Sequence, residues 1–600
     1  GSALPTASFR PKNVGTPAGV VLRVARAGVI EVGAEALADA LATSSADIAN
    51  LIRSGSLDLR LGGEAIAWRP VNDGAAIRFV APEVRSPFTT YHRYLLFVRE
   101  GVTMEERDIV QTVAHEPHVF PTTTRFEENL FPGPTGAPDP RRDLFFWHAL
   151  TFDAQALFAI PLPALSGTAG RELRVYVHGA TEHPEQPHRV ELHWNGQSLG
   201  TFDLFGRKRH TIVVPLEQVA AGLDNELVVQ QHVVGEAPPV LFVDAVEVDY
   251  PRLAEADGPE FRFRGAGDGS YSVIGLASES VHLYEVTDPY EPKYYGQVSL
   301  DALGGLSFTD SNPDLQFLAV APDIVSAPVE LSPYVEAGLR STSYEVDYVI
   351  IAASNLLADA QTLADFRRAD GYRVLLVDVD DVYWEFAGGV PDPLAVRSFL
   401  SFAWEEWETA PRMAVLVGKG NLDYRDLMGL GGNSLPCALA ATPDGLFPSD
   451  SILGDVDGID GAPEIAIGRL PITSGDELVT IIEAIESFEA GHASMDALFA
   501  ADDSEHAEFS AAAGLLMDWA APERVREIDL NVETREDARD RLLSMWGDLG
   551  WMTYVGHSGL DRMASEGLLT LADVPFLASQ SSAPVVVGWT CNMVRFDIPG

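Results

Sequence analysis

Near Ser343 the periodicity of the chain changes. Before it, apolar residues recur mostly in short strand-like runs; beyond it, buried-strand runs alternate with amphipathic helices. Residues 346–351 read as a strand, 357–370 as a helix that stops at Gly371, and 374–377 as the next strand. Residues 393–407 form a further helix and 413–417 a further strand. Parallel neighbours need a crossover between them, so this alternation specifies a parallel or mostly parallel sheet covered by helices.

The first half reads differently. Residues 1–116 mix alternating runs, such as 57–61 and 76–80, with one helical stretch over 34–51, which suits a small mixed or β-rich domain. Residues 117–144 are rich in Pro, Gly and Thr and read as a linker. Five short runs between 145 and 252, with Asn195-Gly196 as a tight turn between two of them, predict an antiparallel β-sandwich of the jelly-roll kind. Residues 253–342 form another β-rich domain, and 343–475 and 476–600 are two α/β subdomains. The fold class is therefore multidomain, with β-rich N-terminal domains ahead of an α/β domain.

Composition limits the partners. With 41 Lys and Arg against 88 Asp and Glu the net charge is −47, which repels phosphate backbones, so nucleic acid is not expected. The same acidity suits an ordinary solvated surface or divalent cations. No apolar stretch reaches the roughly 18–20 residues of a membrane span. Cys437 and Cys591 are the only cysteines, so there is no disulfide framework. The Gly1-Ser2 opening reads as a cloning scar and leaves room for a removed export signal.

Two apolar strands near the end each run into a reactive side chain. Residues 551–556 lead into His557, and 584–590 lead into Cys591, 34 residues later. That interval holds one crossover helix, expected around 568–579, so both side chains emerge at the carboxyl edge of one sheet, where open α/β folds place their sites. A thiol beside an imidazole is a nucleophile with its base. Gly556 and Gly559 would let main-chain N–H groups approach an oxyanion. The alternative is a buried apolar Cys and a satisfied loop His.

This strand pair resembles the gingipain-like (C25) cysteine peptidases of the caspase-type clan, and further stretches agree in order: 384–393 running into 395–400, 415–420 with 423–426, 448–450 with 455–460, and 463–471. The resemblance implies a caspase-like α/β peptidase domain over about 345–600, a His557–Cys591 dyad, and an upstream acid orienting the imidazole, Asp502 in preference to Asp503. It implies Ser558 and Gly559 as the oxyanion hole, although Ser558 stands where the family usually has Gly. The sandwich, through 188–196 and 242–252, resembles the N-terminal region of the family's type IX secretion sortase branch. Nine residues follow Cys591, fewer than such peptidases need, so the chain reads as a fragment.

The function expected is a cysteine endopeptidase acting on protein or peptide substrates, secreted or on a bacterial cell surface. A sortase-like transpeptidase on the same dyad, or an inactive peptidase-fold surface-binding protein, is the alternative. Asp455, Asp457 and Asp460 offer hard oxygen ligands on a turn, read as a structural Ca²⁺ site or as a plain acidic turn. Glu505 and Glu508 would favour Lys or Arg before the scissile bond, or simply mark an exposed helix start. Cys437, after Pro436 in an apolar stretch, reads as packing. No Gly-x-Ser-x-Gly elbow or phosphate loop is present.

Overall fold

The computed structural model describes residues 17–113, 116–133, 139–183, 185–236, 238–265, 267–302, 304–443, 445–458, 460–491, 496–503, 508–520, 524–580 and 582–600. Its centre is a β-sandwich. One sheet orders His148–Thr151, Val240–Leu253, Glu172–Gly179 and Arg209–Pro215; the other orders Gln155–Pro161, Asp224–His232, His188–Trp194 and Gln197–Leu204. Gln155–Pro161 alternates exposed and buried at every position, the period-two pattern of a strand with one face in a core. Leu173, Val175, Leu192, Trp194 and Val229 fill that core. Asn195 and Gly196 make the turn with φ of 50° and 79°, both left-handed, as a two-residue hairpin requires.

The expected linker at 117–144 is corrected. Val119–Phe126 is a strand, paired antiparallel along Val240–Leu253. Its alternation is faint because it lies on the edge of the sheet and is largely exposed, and an edge also tolerates Pro121. Nor do 1–116 and 253–342 close as separate units. Glu330–Tyr334 pairs antiparallel with Gly19–Val24, and Val110–Gln111 pairs with Leu306–Thr309. Tyr284, Tyr294, Leu318 and Val320 pack into the core built by residues 20–104. Strand exchange between distant segments hides edges from solvent, and nothing local in either segment encodes it.

The C-terminal region is a caspase-like α/β domain. Its strands are numbered in chain order: β1 (Tyr348–Ala352), β2 (Val374–Asp378), β3 (Met413–Val417), β4 (Ala466–Leu470), β5 (Asp496–Ala501), β6 (Val525–Asp529), β7 (Leu549–Val555) and β8 (Val585–Trp589). They form two four-stranded sheets, ordered β2-β1-β3-β4 and β6-β5-β7-β8, so one strand order occurs twice. Every neighbouring pair is parallel. Leu357–Ala369 and Leu394–Glu406 cover the first sheet, burying Leu363, Phe399 and Leu400 against Val349, Ile351 and Leu416. The crossover from β7 to β8 is slighter than expected: a ladder of Arg562–Met563 with Leu569–Thr570, then the five-residue helix Val574–Ala578. No described helix is long and apolar enough to cross a membrane.

Candidate active site

β7 and β8 run parallel with Val555 opposite Trp589. His557 and Cys591 each lie two residues beyond that pair, and both are exposed. The two loops are laced together beside them: Gly556 N–H donates to the Trp589 carbonyl at 3.3 Å, and Asn592 N–H donates to Ser558 Oγ at 3.1 Å. The first sheet has the same register, with Val417 opposite Leu470, but the corresponding positions hold Lys419 and Ile472. Only the second copy of the strand order carries a thiol and an imidazole at that place.

Asp502 directly follows β5, next to β7, and is buried. Its carboxylate accepts the main-chain N–H of His557 at 2.9 Å. The expected contact with the imidazole is thereby corrected: Asp502 reaches His557 through its backbone. Asp503 donates its own N–H to Asp502 Oδ1 at 3.0 Å. The imidazole packs edge-on against Phe509, with ring centroids 5.1 Å apart and planes at 86°.

The glycines serve other ends than expected. A Cβ on Gly556 would sit 2.3 Å from Asp502 Cβ and 2.6 Å from Tyr554 Oη, so this residue makes room for Asp502 beneath the strand end. Gly559 N–H donates to the Arg562 carbonyl at 3.0 Å and is engaged within its own turn, which corrects its place in the oxyanion hole. Short turns consume their amides internally, and spacing in sequence does not reveal which. Ser558 Oγ is the loop tie already described.

The proposed calcium ligands are also not gathered. Asp455 Oδ2 accepts the Gly461 N–H and Asp460 Oδ1 the Ala462 N–H, both at 2.9 Å, while Asp457 is exposed. Among the described residues no group of three or more His, Cys, Asp or Glu side chains could hold a metal ion. Carboxylates on a tight turn satisfy nearby amides first. Asp455 Oδ1 is buried with no hydrogen-bond partner. Glu505 lies outside the described residues, and Glu508 is exposed. Cys437 is buried, and burial pushes its thiol up to about 12, as a packing cysteine requires. A cavity of about 890 Å³ opens at the carboxyl edge of the first sheet, lined by Ser354, Asp380, Tyr383, Tyr424 and Thr473.

Sequence reasoning missed Tyr554. It reads as a strand residue in 551–556, but its hydroxyl is buried, and a buried tyrosine hydroxyl normally has a partner. Burial, with the Asp502 charge adding, pushes its ionisation far up, so it is a neutral donor.

Residues 341–600 match the model of peptidase family C25. This region belongs to family C25. Among solved structures the chain is similar to dimeric latent PorU from Porphyromonas gingivalis, with 16% identity and a TM-score of 0.57, over 79% of this chain and 50% of that one. The likeness is one of fold, and the chain spans half the length of that protein. A structure described as a protease aligns with 14% identity and a TM-score of 0.35, over 43% of this chain and 55% of that one. The CBM36-1 domain of a multidomain xylanase from the hindgut metagenome of Trinervitermes trinervoides aligns with 10% identity and a TM-score of 0.15, over 22% and 96%. No curated protein matches the chain by sequence. The C25 region contains both four-stranded sheets, and with them His557 and Cys591.

Proposed function

We propose that the C25 region is a cysteine endopeptidase working through Cys591 and His557. The observation that carries this reading is the parallel register of β7 and β8, which puts both side chains at one sheet edge, two residues past a paired position. In the reaction, His557 takes the Cys591 proton and the sulfur attacks the peptide carbonyl. The tetrahedral oxyanion is held by the main-chain N–H of Ser558. His557 then returns the proton to the leaving amine, and water cleaves the thioester, regenerating the thiol. Protein or peptide substrates and a secreted or bacterial cell-surface location belong to the same proposal.

The test is cleavage of a mixed peptide library by the full chain and by Cys591→Ala. Cleavage lost with Cys591→Ala supports the reading. Equal cleavage by both, or none by a folded wild type whose Cys591 also resists alkylation at neutral pH, sinks it. An added amine captured in the product would assign the same pair to transpeptidation.

A further inference from the structure

Both polar main-chain atoms of His557 are held from the interior. Asp502, 1% exposed, accepts its N–H at 2.9 Å, and Tyr554, 0% exposed, donates to its carbonyl at 2.6 Å. Tyr554 has one hydroxyl proton and two acceptors in reach, the His557 carbonyl and Asp502 Oδ2 at 3.2 Å. The shorter contact takes the proton. The same oxygen accepts the Ala564 N–H at 2.8 Å, and that N–H also reaches the His557 carbonyl at 2.9 Å. Residues 557–564 are thus closed into a turn with Tyr554 at its root, and Ala564 holds a left-handed φ of 59° to complete it. The space beneath exists because residue 556 has no Cβ.

We propose that Tyr554, acting with Asp502, is a positioning residue for His557, setting where the imidazole stands by clamping the peptide units on either side of its Cα. The inference rests on the Cys591–His557 reading given above. It assigns Tyr554 no contact with substrate and no part in proton transfer. The Asp502 carboxylate then acts through the main chain, and the hydroxyl of Tyr554 completes the clamp on the carbonyl side. A displacement of a fraction of an ångström at such a site is enough to lower reactivity by about 10-fold.

The experiment reads thiol chemistry without any substrate. Iodoacetamide alkylation of Cys591 is followed by peptide mass spectrometry against pH in the full chain, for wild type, His557→Ala, Tyr554→Phe and Asp502→Asn, with folding checked by thermal unfolding. Tyr271→Phe is the comparator, because it also removes a buried hydroxyl, one that donates to the Asn312 carbonyl at 2.8 Å. The expected result is that Tyr554→Phe lowers the rate near neutral pH by about 10-fold and moves its pH profile towards that of His557→Ala. Asp502→Asn should move it in the same direction, and Tyr271→Phe should not move it. A wild-type profile equal to that of His557→Ala overturns the paired reading and this inference with it. A His557-dependent wild type matched by Tyr554→Phe overturns the inference alone. Should Tyr554→Phe fail to fold, an Asp502→Asn profile equal to wild type overturns it.

Discussion

Gly556→Ala isolates the steric foundation of the site. Gly556 has no left-handed φ, so alanine meets no backbone strain there, and in open space the change would stabilise by about 0.4–1 kcal/mol through the unfolded chain. The new Cβ, however, would land 2.3 Å from Asp502 Cβ and 2.9 Å from Tyr554 Cζ, both parts of buried side chains that cannot swing aside. Overpacking of this kind costs about 1–3 kcal/mol. The net loss expected is on the order of 1–2 kcal/mol, a factor of roughly 5–30 in the equilibrium for local opening. Hydrogen exchange of peptides covering 549–557 measures that opening without requiring a 600-residue chain to unfold in one step. Gly468→Ala is the control: it lies in β4 with nothing within 4 Å of its Cβ and should leave exchange unchanged or slower. Exchange of 549–557 in Gly556→Ala no faster than in wild type would refute the packing argument, and with it the reason given for glycine ahead of His557.

Three further outcomes follow from particular contacts. Arg469 and Asp450, 3% and 10% exposed, form a two-pronged ion pair at 2.6 and 2.9 Å, so Asp450→Ala strands a buried cation and should cost about 3–5 kcal/mol, read as a lowered Tm; an unchanged Tm would show the pair to be dispensable. Burial, with the Arg78 and Arg69 charges adding, holds His282 down to about 4, against 6.5 unperturbed. Folded chains therefore bind fewer protons there than unfolded ones across that window, so stability falls as pH drops from 6.5 towards 4, and His282→Gln should flatten the Tm–pH curve there. Since Asp455 accepts the Gly461 N–H, Asp455→Ala should lower Tm equally with EDTA and with Ca²⁺; a Tm raised by Ca²⁺ in wild type alone would restore the metal reading.

Much of the C25 region was legible because its signals are local. A buried parallel strand shows as an unbroken apolar run, a crossover helix as a 3.6-residue period, and a reactive residue at the end of each of two runs marks an edge. The helix expected at 357–370 is found at Leu357–Ala369, and the one at 393–407 at Leu394–Glu406. Less legible were elements with weak alternation. Val119–Phe126 was hidden by its exposed edge and its proline, and the 568–579 crossover by an apolar composition that suits a longer helix than the five residues it forms.

The sequence by itself determined the kinds of element and the placement of His557 and Cys591 at strand ends, since side-chain period and strand length are properties of a few consecutive residues. Only the tertiary structure decided which distant groups meet. It brought Glu330–Tyr334 onto Gly19–Val24, turned the Asp502 carboxylate to the His557 backbone, put the Tyr554 hydroxyl on the His557 carbonyl and spent the Gly559 amide on Arg562. Such pairings depend on how buried polar groups across the whole chain find partners simultaneously, and that is settled by packing in three dimensions.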